Sequence, residues 1–183
     1  MISSEEFSAA MRGTWRLLNR DAGGYADFNL SYEGLKNSFT SVLIVAPVYL
    51  FIVATSNSLT SPPIPVAYGR ELIALLFEWA VFVALAVLAG RMLGRTSQLV
   101  PFLIAYNWSS VFIVFAMVPP ALLSRYGLIT SGGLLTAGVV VTLIALYFRW
   151  YIARTGLRTT GSIAFALVVA DVAISLMAEV LIR

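Results

Sequence analysis

Residues 165–181 read FALVVADVAISLMAEVL. With its flanks this run reaches the ~20 mostly apolar residues that cross a bilayer as a helix. Two acids interrupt it, Asp171 near the middle and Glu179 two turns later. Lipid cannot solvate a carboxylate, so the acidic stripe must face other protein or captured water.

The rest of the 183-residue chain has the same character. It is 60% hydrophobic and only 11% charged, where a soluble domain carries roughly a quarter charged residues. Too little polar surface remains to face water. Four further stretches have spanning length, about 35–55, 71–93, 98–118 and 128–151, and the opening run completes a fifth over about 160–182. The expected fold is therefore an all-α, polytopic integral membrane bundle of five transmembrane helices over 31–183, preceded by a cytoplasmic or interfacial amphipathic segment, 1–30.

The connections carry turn chemistry. SNSLTSPPIPVAYGR (56–70) is the longest; GRMLGRTS (90–97) and IARTGLRTTG (152–161) are basic; VPPALLSRYG (118–127) is expected to break at Pro119-Pro120. Pro47 should kink the first span, whereas Pro101 falls in a first turn, where proline costs little. No internal repeat is visible, and five spans do not divide into two inverted halves.

Arginine and lysine set the expected orientation. Arg12, Arg16, Arg20, Lys36, Arg91, Arg95, Arg149, Arg154 and Arg158 fall on one side, and Arg70, Arg125 and Arg183 on the other. This places the N-terminus in the cytoplasm and the C-terminus outside, periplasmic for an inner-membrane protein. No cleavable signal precedes the first apolar run, so the N-terminus is expected to be retained.

Ahead of the spans, Ser3 and Glu6 fit a capping box. Phe7, Met11, Trp15 and Leu18 share one helical face, with Arg12, Arg16 and Arg20 on another. Such a helix either lies in the interface with Trp15 as anchor, or packs on the loops of its own bundle. DAGG (21–24) ends it, and Ser31 caps the first span.

The interior polar residues are the functional candidates. An ionisable group near the bilayer centre costs at least ~2.5 kcal/mol. Asp171, Ser175 and Glu179 are spaced i, i+4, i+8 and form one stripe. Glu71 and Glu78 share a face of the second span, with Glu78 about 10 Å deeper. Asn107 lies at similar depth in the third, within AYNWSS (105–110). Asp171, Glu78, Glu179, Asn107 and Ser175 thus form a candidate proton or cation site. Equally, Asp171 and Glu78 could bond to Asn107, Tyr106, Trp79 or the serines and simply tie helices together. Arg149, beside Tyr147, Trp150 and Tyr151, reads as a snorkelling residue in an interfacial aromatic belt. Arg12, Arg16, Arg154 and Arg158 are candidate contacts for lipid headgroups.

Cysteine and histidine are both absent, which excludes disulfides, Cys/His zinc sites and histidine-ligated haem. No phosphate-binding loop, nucleophile elbow or zinc-protease motif occurs. No cofactor, metal or nucleic-acid partner is expected; the bilayer itself, other membrane proteins or a second copy are.

Five spans behind a cytoplasmic segment, AYNW (105–108), and Asp27-Phe28-Asn29-Leu30-Ser31 before the first span together resemble bacterial Yip1-type membrane proteins. The Asp-Leu-Tyr-Gly-Pro type stretch of eukaryotic members is not present. The resemblance implies a five-span fold and transfers no functional residue. The expected function is non-enzymatic, as an organising, assembly or partner-binding subunit. The alternative is a proton- or cation-coupled transporter or channel-like protein using the intramembrane carboxylates. An intramembrane lipid enzyme is a weaker third.

Overall fold

The computed structural model describes residues 2–182; Arg183, one of the residues used to set orientation, lies outside them. Eight α-helices are present among these residues: α1 (Ser4–Leu18), α2 (Tyr32–Ser38), α3 (Ser41–Ser58), α4 (Tyr68–Met92), α5 (Leu99–Ala116), α6 (Val118–Arg125), α7 (Ser131–Gly156) and α8 (Gly161–Leu181). No strand occurs among the described residues. Five helical segments are long and apolar enough to cross a membrane: Tyr32–Ser58, Tyr68–Met92, Thr96–Arg125, Ser131–Gly156 and Gly161–Leu181.

Helix α5 is the axis. Every residue from Phe102 to Val111 is buried, because α1, α2, α3, α4 and α7 all pack on it. Helix α8 closes the bundle against α4 and α7. Elsewhere the spans bury narrow stripes and turn wide apolar faces outward, as lipid-facing helices do. On α8, Ala164, Leu167, Asp171, Ile174 and Ala178 face inward, whereas Phe165, Val169, Leu176 and Val180 are exposed.

The first span differs from the expected single kinked helix. The interruption falls at Phe39–Thr40, ahead of Pro47, which sits inside α3. The cause is local. Ser38, Thr40 and Ser41 donate their hydroxyls to the carbonyls of Leu35, Asn37 and Ser38 at 2.6–2.7 Å. They compete there with the helical amides.

Nor is the Pro119-Pro120 stretch a loop. Helix α5 ends at Ala116, the chain bends at Met117, and both prolines occupy the first turn of α6. At that position the missing N–H groups would have had no helical partner anyway. The basic connection expected over 152–161 is also shorter, because α7 continues to Gly156. Thr155, one residue before that end, donates to Tyr151 O at 2.7 Å.

Helix α1 starts as expected, with Glu6 N donating to Ser3 Oγ at 3.1 Å. The Glu6 carboxylate accepts from Asn29 Nδ2 at 3.2 Å and Asn37 Nδ2 at 2.8 Å, tying α1 to α2 rather than closing the reciprocal half of the box. Ala10, Gly13, Thr14 and Leu17 are buried, where α1 packs on its own bundle. Phe7 meets Trp108 edge-on at 5.7 Å, and Trp15 lies 6.2 Å from Phe112. After α1 the chain turns back through a 3-10 helix, Ala22–Asp27. Arg16 clamps this turn, pairing with Asp21 at 2.7 Å and Asp27 at 2.8 Å. Tyr25 reaches α7, donating to Ile152 O at 3.1 Å, and burial pushes its phenol above its ordinary value.

The close approach of α7 to its neighbours can be tested at two glycines. A Cβ at Gly156 would lie 2.6 Å from Tyr25 Oη and 3.1 Å from Phe102 Cα. The second of these is backbone and cannot swing aside. Gly156→Ala is expected to cost about 1–3 kcal/mol, read as a lower thermal midpoint in detergent. Gly138→Ala, whose nearest neighbour is Met117 Cε at 3.8 Å, should leave that midpoint close to wild type.

The Arg16 clamp should respond to acid. The Arg16 hydrogen bond, then that of Gly23 N–H, hold Asp21 below the ordinary carboxylate value of 3.8. A depressed folded value stabilises above that pH and is lost as pH falls through it. The clamp should loosen below about pH 4, followed by Trp15 fluorescence, and Asp21→Asn should flatten that response.

Candidate functional site

Asp171 lies at the middle of α8 and is only 6% exposed. Its Oδ1 accepts from Tyr106 Oη at 2.9 Å, and its Oδ2 forms an ion pair with Arg149 of α7. The Arg149 guanidinium also lies over the Tyr106 ring, 4.7 Å from its centroid. Phe82 of α4 stacks on Tyr106 at 4.1 Å and 15°. Three helices therefore meet at one carboxylate, and α4 backs the Tyr106 ring.

Arg149 is thus not a snorkelling interfacial residue. The longer α7 is the reason. Ending at Gly156 rather than near 151, it leaves Arg149 about two turns inside the helix. Helices α7 and α8 form a hairpin closed by four residues, 157–160. Arg149 precedes that closure by nearly as much as Asp171 follows it, and a long arginine side chain covers the difference. The hairpin spacing, which sets Arg149 and Asp171 at comparable distances from the turn, was the signal in the sequence.

One turn beyond Asp171, Ser175 Oγ donates to Glu78 Oε2 of α4 at 3.3 Å. Asp171, Ser175 and Glu78 therefore do converge. Asn107 does not join them. It faces a separate buried network, accepting from Trp79 Nε1 at 2.8 Å and donating to Ser38 Oγ at 2.8 Å. Ser38 was not among the expected site residues. Glu179 is exposed near the end of α8, away from Asp171. Glu71 accepts from Tyr49 Oη at 2.7 Å.

Glu78, Asp171, Arg149, Tyr106, Trp79 and Ser175 border a cavity of about 370 Å³. Val45 and Ile52 of α3, Ile113 and Val114 of α5, and Val141 of α7 supply its apolar wall. That volume is at the small end of ligand pockets. No group of three or more acids that could hold a metal ion exists among the described residues.

The candidate headgroup contacts are dispersed. Arg12 is exposed on α1. Arg16 is engaged by its two aspartates. Arg154 is exposed, its guanidinium 5.3 Å from the centre of the Trp150 ring. Arg158 is exposed just past α7, with a left-handed φ of 49°.

Removing one partner of a buried pair leaves an uncompensated charge and costs about 3–5 kcal/mol. Arg149→Met and Asp171→Leu should each lower thermal stability in detergent by that order. The double variant should recover most of the loss, since no charge is then stranded. A double variant as unstable as the sum of the singles would show that the pair does not act as a unit.

Compared with known proteins, no family model matches the chain, no curated protein matches it in sequence, and no solved structure matches it.

Proposed function

We propose that this chain is a non-enzymatic, multi-pass membrane protein that organises, assembles or partners other components of a bacterial inner membrane. In this reading the N-terminus is cytoplasmic, the C-terminus is periplasmic, and the chain is a Yip1-type protein. One observation carries it. Several interior polar side chains join helices: Arg149 and Tyr106 to Asp171, Ser175 to Glu78, and Trp79 and Ser38 to Asn107. Groups committed to such joints hold a bundle in one shape, which is what a partner-binding surface requires. The joined bundle turns outward broad apolar faces, such as Leu135, Val139 and Leu143 on α7, through which neighbours in the bilayer would be met.

A second reading is favoured by the cavity beside the same joints. A proton- or cation-coupled carrier would use Glu78 and Asp171 at its wall. Flux separates the two. Purified protein in liposomes carrying a pH-sensitive dye should pass protons no faster than empty liposomes under an imposed potential. Native membranes should yield a crosslinked complex with another membrane protein, and that complex should weaken when Asp171→Leu loosens the bundle. Proton or cation flux above background that Asp171→Asn abolishes, with folding intact, would replace the organising role by the carrier.

A further inference from the structure

We propose that the apolar groove between α7 and α8, about 520 Å³, holds an acyl chain of an anionic phospholipid, whose phosphate sits between Arg20 and Arg154. The occupant belongs to the leaflet on α1's side of the bundle. A lipid held there is compatible with the organising role and with the carrier, and rests on neither.

Two guanidinium groups and two rings form one continuous row. Arg20 lies over the Tyr147 ring, 5.0 Å from its centre. Tyr147 lies 5.6 Å from Trp150, and Arg154 lies over Trp150 at 5.3 Å. Both rings line the groove, so both arginines stand at its edge. Beyond the rings the groove runs along Leu146, Phe165, Val169 and Val172, and no lining side chain there is polar. Phe165 to Val172 covers about 10 Å of helix. A site with charge at one end and hydrocarbon along its length fits a lipid better than a soluble anion.

The arginines are placed to take a phosphate. Both are exposed, and their guanidinium groups rest on rings rather than on carboxylates. Contact through the ring face leaves the N–H fork open, and that fork matches phosphate bidentately. The row is also held in advance. Trp150 Nε1 donates to Gly161 O at 2.9 Å, and Tyr151 Oη donates to Arg20 O at 2.7 Å, which pins the end of α1 against α7. Arg20 keeps a left-handed φ of 64°, where glycine would be less strained. Of the arginines put forward for headgroups on sequence, only Arg154 belongs to this site; its partner Arg20 comes from α1 and was not among them.

Charge selects the headgroup. The acids beside the row, Asp21 and Asp27, share Arg16. That trio keeps one negative charge, set against the two positive charges of Arg20 and Arg154. Arg158, exposed just past α7, adds to the positive side. A headgroup of net negative charge reduces this excess, and a zwitterionic one leaves it as it stands.

Native mass spectrometry of the full chain, delipidated in detergent, tests the site with two lipids that differ only in headgroup: dioleoyl phosphatidylglycerol and dioleoyl phosphatidylcholine. The phosphatidylglycerol should bind saturably, at least about fivefold tighter than the phosphatidylcholine. Arg20→Gln combined with Arg154→Gln should remove most of that preference. Arg12→Gln combined with Arg95→Gln, an equal loss of charge outside the row, should keep it. Val169→Trp, which narrows the groove without altering charge, should weaken both lipids, and it decides the question should the Arg20 and Arg154 variant not fold. The proposal is overturned if the two lipids bind alike, if the preference survives loss of Arg20 and Arg154, if loss of Arg12 and Arg95 removes as much of it, or if Val169→Trp binds like wild type. Failure here leaves the organising and carrier readings standing, since both rest on the interior joints.

Discussion

A guanidinium and a carboxylate set among apolar helices must hold each other, because hydrocarbon offers neither counter-charge nor hydrogen bond. Arg149 and Asp171 meet that requirement between α7 and α8. Tyr106 adds a donor from the central helix, and Phe82 fixes the ring from α4. In hydrocarbon, burying apolar surface gives little force between helices, since lipid tails are as apolar as leucine. Register along the helices must then come from close packing and from polar joints. This joint sets α7, α8, α5 and α4 at one height, and Ser175 to Glu78 repeats the lock one turn along α8.

The Asn107 network does comparable work in a neutral form. Trp79, Asn107 and Ser38 link α4, α5 and α2. The same Ser38 donates its hydroxyl to Leu35 O, which helps to break the first span at Phe39. Local backbone chemistry and tertiary contact are thus coupled: the break that ends α2 leaves Ser38 buried against α5. Glu6 adds a second tie from α1 to α2 through Asn37, so the N-terminal segment is built into the bundle rather than tethered to it.

Much of this was legible in the sequence. Length and hydropathy located five spans, and the Ser3 and Ser31 caps are local features that each read from a few residues. The stripe of Asp171 and Ser175, and Tyr106 as a partner, follow from helical spacing and from the cost of an unpaired acid. What escaped depends on tertiary placement. Arg149 looked terminal because hydropathy ends a span where charge begins, whereas hydrogen bonding carried α7 on to Gly156. Asn107 shares Asp171's approximate depth but faces α2 and α4, and depth alone says nothing about azimuth. Glu179 shares a stripe with Asp171, yet eight residues of helix carry it about 12 Å away, out to the exposed end.

The same rigidity explains why an open space of about 370 Å³ persists between the helices beside these joints. A cavity closes when its lining can relax into it. Here the three aromatic side chains of the lining are each held by a hydrogen bond: Trp79 to Asn107, Tyr106 to Asp171, Tyr49 to Glu71. Moving any of them inward breaks a hydrogen bond that no lipid can replace. The remaining lining is largely β-branched, Val45, Ile52, Ile113 and Val114, with few rotamers open to it in a helix. The joints that fix the helices therefore also hold the space between them open, and a fold assembled through buried polar pairs acquires a preformed pocket beside them.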